Sequence, residues 1–182
     1  MIEKWETLGV ESSEDFRIFT AIRIKRRHPA WKREGSFVVL DSPQWVNIIP
    51  VTTEGNIVLI EQYRHGADSI TIEVPGGLVE HGEATRIAAE RECLEETGYG
   101  SNQEAELLGK ILPNPAFLNN ECFSYVWFGC ELKSEQHLDR HEDIRVFEAS
   151  QAEVKDMILD GRINHSLVLD AFLYYIFKYG FK

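Results

Sequence analysis

Apolar and polar residues alternate over "FRIFTAIRIKRR" (16–27), the period-two pattern of a strand with one covered face. "GSFVVL" (35–40) is a second apolar run, closed by the turn-forming Asp41-Ser42-Pro43. "WVNIIPVT" (45–52) and "NIVLIEQYR" (56–64) predict two strands joined at Thr53-Glu54-Gly55. "ITIEV" (70–74) predicts another, ended by Pro75-Gly76-Gly77. Residues 83–97 lack Gly and Pro and are rich in Ala, Glu and Arg, which predicts a helix stopped by Gly98. Strands are predicted over 105–113, 122–132 and 144–150, and amphipathic helices over 151–161 and 166–180. Many strands with helices interspersed and at the end predict an α+β fold, a mixed-sheet sandwich.

The helix at 83–97 carries an unusual charge pattern. "ERECLEETGY" (90–99) places four glutamates within seven positions. At about 100° per residue, Glu92, Glu95 and Glu96 fall within one sector and Glu90 faces the opposite side. Thr85, Ala88 and Ala89 share the acidic face, which predicts room for something to approach it, while Ile87 and Leu94 pack on the far side. Partly buried carboxylates 5–6 Å apart repel by roughly 3 kcal/mol at an effective dielectric near 20. A divalent cation reverses that sign, and oxygen-only ligands suit Mg²⁺ or Mn²⁺ better than zinc. Helical geometry alone leaves two readings open, a solvated acidic face and a metal site.

Composition narrows the classes. Apolar residues make up 43% of the 182, enough for a core. The formal net charge is −11, which weighs against nucleic-acid or anionic-membrane partners. No run is long enough to predict a membrane span, and no signal-peptide pattern opens the chain. Cys93, Cys122 and Cys130 form no C-x-x-C pair and read as reduced thiols of a cytoplasmic protein. Nucleotide-binding P-loops, G-x-S-x-G elbows and zinc spacings are absent.

A wider motif decides between the two readings of the helix. Gly77, five residues, Glu83, seven residues, Arg91-Glu92-Cys93, one residue, Glu95-Glu96, one residue, Gly98-Tyr99: this resembles the Nudix hydrolase signature at every fixed position. Cys93 departs softly, standing where a larger aliphatic residue is usual. The resemblance implies a Nudix-type α/β/α sandwich with a mixed central sheet over 43–182, and an N-terminal β-rich dimerisation extension over 1–42. It implies that Glu92, Glu96 and the Gly76 carbonyl hold two or three Mg²⁺ (Mn²⁺ possible) per active site. Glu95 assists them, and Glu83 with Arg91 forms a structural ion pair.

"VLIEQYRHG" with "EVPGGLVEHGE", and Pro115 sixteen residues beyond Tyr99, resemble the branch that hydrolyses ADP-ribose and other nucleoside diphosphate sugars. This implies a homodimer that splits ADP-ribose or GDP-mannose into a nucleoside monophosphate and a sugar phosphate. Arg64 is the candidate diphosphate contact, and Glu73 the candidate for a sugar hydroxyl or a second metal. Trp5 and Trp45 are candidates to stack on the base. Glu142, in the polar stretch "SEQHLDRHEDIRV", is the candidate general base, with Asp139 and Asp143 as rivals. His165 reads better as a surface histidine at a helix start than as a substrate contact. The alternatives are a nucleotide-sugar-sensing module without turnover and a hydrolase of other nucleoside polyphosphates.

Overall fold

The structure is a computed structural model and describes residues 1–181. The chain divides into two compact units: Met1–Pro43 with Leu112–Glu121, and Gln44–Ile111 with the chain from Cys122 onward. The first unit is a three-stranded antiparallel sheet of β1 (Glu6–Asp15), β2 (Thr20–Arg27) and β3 (Glu34–Asp41), with β2 in the middle. Sequence reading did not predict β1, whose residues are all exposed and show no apolar alternation. The predicted 16–27 strand begins only at Thr20, because Phe16–Phe19 form the turn into it. Residues 112–121 dock onto β3: the Leu40 N–H donates to the Phe117 carbonyl at 2.7 Å, and Leu118 bridges Leu40.

The second unit is built on an eight-stranded mixed sheet. Its spine runs β11 (Ile144–Ala149), β5 (Ile57–Arg64), β4 (Trp45–Thr52), β10 (Cys122–Leu132), β8 (Tyr99–Gly100). β6 (Ser69–Glu73) adds to β5, β7 (Gly76–Leu78) to β4 and β9 (Glu106–Ile111) to β10. The β4–β10 pair is parallel, and the others are antiparallel.

Side-chain alternation along β4 and β10 supplies both faces of the sheet. Val46, Ile48, Tyr125 and Trp127 pack with Ala88, Ala89 and Cys93 of α1 (Thr85–Thr97). On the other face, Ile49, Val51 and Val126 pack with Val154 and Met157 of α2 (Gln151–Leu159), and with Val168, Ala171, Phe172 and Tyr175 of α3 (Ser166–Tyr179). The result is the α/β/α sandwich anticipated from the sequence. Ser150 opens α2 with a reciprocal capping box to Glu153, which satisfies the helix's first N–H groups. Among the described residues, no helix is long and apolar enough to cross a membrane.

Three local expectations are corrected. Ala88 and Ala89 do not make the room beside the carboxylates; both are fully buried, and their small size lets α1 lie close on the sheet. Ile87, expected to pack, is 45% exposed. Gly76-Gly77, read as a turn, form the short strand β7 against Trp45–Asn47.

One topological feature opens the space for a site. β4 and β5 are paired only at Val51–Ile57, beside their connecting turn. Beyond it, β5 takes β6 as partner and β4 takes β7. The upper ends of the two strands, with Gln62 and Arg64 on one and Trp45 on the other, therefore border a gap instead of a ladder.

Gly98 ends α1 in the left-handed conformation (φ 75°), with its N–H on the Leu94 carbonyl. A Cβ there would stand 2.1 Å from the Ser134 carbonyl oxygen. Gly98→Ala should therefore lower unfolding free energy by about 1–3 kcal/mol, read as a lower urea midpoint at unchanged slope. An unchanged midpoint would contradict this close approach.

Candidate functional site

The site is built where α1 meets β7. The Gly76 N–H donates to Glu96 Oε2 at 2.9 Å, inside the protein. Glycine is required at both positions of the β7 start: a Cβ on Gly76 would lie 2.2 Å from the Val46 carbonyl oxygen, and one on Gly77 would lie 2.3 Å from the Glu92 carboxyl carbon. The bare Gly77 makes room for the Glu92 carboxylate, and the bare Gly76 lets β7 lie close on β4. It is the Gly76 N–H that meets the acidic face.

Arg91 closes the outer side. It makes a two-bond pair with Glu83, at 3.0 Å each, and reaches the Leu78 carbonyl, joining the helix to the loop before it. Its remaining nitrogen donates to Glu92 at 2.9 Å and Glu95 at 3.0 Å. Sequence reading gave Arg91 only the Glu83 partner; here it also offsets part of the charge on the acidic face. Glu90 stands apart, accepting from Arg86 and from the Ala105 N–H.

The 133–143 loop covers the far end. Lys133 and Ser134 donate their N–H groups to the Gly98 carbonyl, and the His137 N–H donates to the Glu95 carbonyl at 2.8 Å. These donors satisfy carbonyls that the helix end leaves without partners. Together Glu92, Glu95, Glu96, Gly76, Gln62, Arg64, Asp139 and Glu142 line a cavity of about 500 Å³. Asp143 is not among its lining residues. The Glu142 carboxylate accepts from the Asp139 N–H at 2.9 Å.

On the other side of Arg64 lies a second cavity of about 630 Å³, bordered by Trp45, Thr71, Glu73, His165 and the start of α3. Arg64 is bound through two nitrogens to Glu73, at 2.8 and 2.7 Å. Thr71 Oγ1 at 2.6 Å and His165 Nδ1 at 3.0 Å also lie on the Glu73 oxygens. Four bonds from three residues fill the carboxylate's accepting capacity. Glu73, expected to take a sugar hydroxyl or a metal, is here bonded to Arg64, Thr71 and His165 and anchors the guanidinium. His165, expected to be a plain surface residue, is a half-buried partner of that anchor. The Arg64 guanidinium also lies over the Trp45 ring, 5.9 Å from its centroid.

Trp5 and Pro115 belong to the first unit, where both border one cavity with Arg26 and Phe117. Trp5 packs edge-on against His28 and Phe37. Gln62 and Gln136, which sequence reading did not select, bear on the acidic cavity. Gln62 lines it, and its amide nitrogen is buried without a protein hydrogen-bond partner. Gln136 donates to the Glu96 carbonyl at 2.6 Å.

The electrostatics follow from crowding. Burial pushes the Glu96 carboxyl up to about 8; the charges of Glu92 and Glu142 add to this, against the Gly76 N–H and Arg64. Burial also raises Glu92, against the opposing pull of Arg91. Burial would raise Glu73 too, but its bonds from Arg64 and His165 overcome it and hold that carboxyl far below its usual range. The acidic cavity therefore has an under-compensated acidic face bordered by Arg64, whose carboxylate partner Glu73 lines the neighbouring cavity.

Such a face fits a hard divalent cation. Its donors are all oxygens, the Gly77 cradle brings Glu92 against the backbone, and the crowding that raises Glu96 is what a cation relieves. Among the described residues, no three His, Cys, Asp or Glu side chains are gathered to hold a metal alone. That suits Mg²⁺, which is commonly held by one or two carboxylates, waters and substrate phosphates.

The raised Glu96 carboxyl makes a stability prediction for the metal-free chain. Unfolded, Glu96 releases its proton near 4.5; folded, near 8. Its contribution to stability is therefore full below pH 4.5 and lost as pH rises toward 8. In chelator, Glu96→Gln should gain thermal stability relative to the parent between pH 5 and pH 8, and Mg²⁺ should shrink that gain. A difference independent of pH would contradict the crowded carboxyl.

Comparison with known proteins agrees with this geometry. The NUDIX domain family matches residues 42–171. A methanol dehydrogenase activator of Bacillus methanolicus is 34% identical over 137 residues, 75% of this chain and 74% of that protein. An ADP-ribose pyrophosphatase of Bacillus subtilis (strain 168) is 30% identical over 124 residues, 66% of this chain and 63% of that protein. A crystal structure of an ADP compounds hydrolase superposes with a TM-score of 0.85, covering 100% of this chain and 99% of that one; at 22% identity it speaks for the fold. With its signature helix folded against β7 and the family match spanning most of its length, the chain belongs to the Nudix hydrolase family.

Proposed function

We propose that this Nudix chain hydrolyses the diphosphate bond of ADP-ribose and related ADP compounds, releasing AMP and a sugar phosphate. The observation that carries the reading is the pairing, in one cavity, of an acidic face with a cationic border: Glu92, Glu95 and Glu96 beside Arg64 and the unpartnered Gln62 amide. A metal-bound diphosphate has both charges to match. Similarity to an ADP-ribose pyrophosphatase and to an ADP-sugar pyrophosphatase of Mus musculus supports the adenine nucleotide class. GDP-mannose, also expected from the sequence, draws no such support.

Glu92 and Glu96 are the residues that would hold Mg²⁺, with Glu95 assisting. When bound, the metal supplies neutralisation of the diphosphate and a more acidic water. Arg64, kept rigid by Glu73, offers its guanidinium to non-bridging phosphoryl oxygens. The Gln62 amide donates to the same group. Glu142 takes the proton of the attacking water on its carboxylate, and the phosphorus–oxygen bond of the anhydride breaks to free AMP. Asp139 serves the turn that aims Glu142, since its N–H holds that carboxylate at 2.9 Å. Retention of the whole acidic face favours turnover over a sensing role.

We also propose that a second copy of the chain covers the sheet of the first unit. Val10 on β1, Ile18 in the turn before β2 and Trp31 in the loop between β2 and β3, each 64–65% exposed, support it. Sedimentation at micromolar concentration should give a dimer; a monomer at every concentration would remove this proposal.

For the activity, ADP-ribose, ADP-linked sugars, GDP-mannose and NADH should be offered with Mg²⁺ and with chelator. AMP should appear from ADP-ribose only with metal, and Glu142→Gln should lower kcat by roughly 10²–10⁴-fold with KM little changed. No metal-dependent monophosphate from any member of the panel would overturn the hydrolase reading.

A further inference from the structure

The loop that carries Glu142 is fastened to the helix that carries Glu96, and one side chain fastens both of the loop's ends. Gln136 Nε2 has two hydrogens. One goes to the Glu96 carbonyl in the last turn of α1, at 2.6 Å; the other goes to the Ile144 carbonyl where β11 begins, at 3.2 Å. Ile144 is the second residue after Glu142 and stands opposite Gln62 in the sheet. The same amide thus touches the backbone of the acidic helix and the backbone just past the loop acid.

Two further sets of bonds hold this loop. Those from Lys133, Ser134 and His137 secure its entry onto the end of α1. Those between Asp139 and Glu142, one through the backbone and one through the Glu142 carboxylate, make a self-contained turn. The turn fixes how Glu142 sits relative to Asp139; the Gln136 clasp ties the chain just beyond the turn to α1. Gln136 is itself an exposed residue whose two bonds are partly buried, so removing the side chain costs the fold those two bonds and no core packing. The cost to a reaction that needs Glu142 at a set distance from phosphorus is large, because misplacement by an ångström is severe in catalysis.

We propose that Gln136 is a positioning residue: by clasping the Glu96 carbonyl to the Ile144 carbonyl it holds the 137–143 loop over the acidic face and keeps Glu142 in reach of the cavity. The proposal rests on the reading of Glu142 as the proton acceptor. It concerns the geometry of the loop and leaves the ligands of the metal unchanged.

The test is a double-mutant comparison of ADP-ribose hydrolysis with Mg²⁺, joined to amide hydrogen exchange on the full chain. Gln136→Ala should lower kcat about tenfold and leave KM within about twofold. In the Glu142→Gln background, the same substitution should cost less than about twofold more. Gln136→Glu, which keeps the size but loses the donors, should behave like the alanine variant. Amides of residues 139–143 should exchange faster in Gln136→Ala, with α1 unaffected through its first two turns. Equal losses in both backgrounds, or a Glu142→Gln enzyme as active as the parent, would overturn the proposal while leaving hydrolysis intact. Unchanged exchange in the loop would overturn it as well, by a readout that needs no activity. If no substrate is hydrolysed but exchange rises, the clasp stands and the catalytic reading fails separately.

Discussion

A carboxylate held out of water by a peptide N–H organises this protein. The Glu96 side chain, 4% exposed, accepts from Gly76 across 2.9 Å. Ala88 and Ala89, fully buried, let α1 settle onto β4 and β10, and the bare Gly77 leaves room for the Glu92 carboxylate. A Cβ on Gly76 would strike the Val46 carbonyl oxygen instead, so glycine there keeps β7 paired to β4 with its N–H on Glu96. The same approach leaves like charges close together, so the fold stores a repulsion that Arg91 offsets only in part. Local disagreement of this kind, within a sandwich whose other parts agree, is expected at a functional site.

Around that contact the charges are arranged by differing degrees of compensation. Arg64 and Glu73 form a closed unit with Thr71 and His165, and so supply a rigid cation at a set place. The acidic face lacks an equivalent partner. A cavity that contains both can accept a ligand that is itself a cation–anion composite, as a metal-bound diphosphate is. Divergence of β4 from β5 gives the space, and the loop tied to the end of α1 closes its far side.

Much of this was legible in the chain. Continuous apolar runs reproduce β4 and β10 to the residue, since both strands are covered on two faces. The lack of Gly and Pro over 83–97 identified the acidic helix and its Gly98 stop, and helical geometry separated Glu90 from the other glutamates. Three things were not legible. β1 is exposed throughout and has no periodicity to read. The joining of 112–121 to β3 rests on backbone bonds to Leu40 and on Asn119 and Asn120 reaching Asp41, Ser42 and Pro43, 77 or 78 residues earlier, a pairing that local periodicity does not reveal. Gln136 and His165 act on partners 40 and 92 residues away in sequence, and the amide's partners are carbonyls that any residue possesses.

The central claim is that the acidic face and a diphosphate hold one divalent cation together. Binding of Mn²⁺, followed by the loss of its free-ion EPR signal, tests it directly when made with and without an ADP-ribose analogue whose bridging oxygen is replaced by methylene. Mn²⁺ should bind weakly to the chain alone and markedly tighter with the analogue, and Glu96→Gln should abolish the gain. Equal affinity with and without the analogue, or a gain that survives Glu96→Gln, would contradict it.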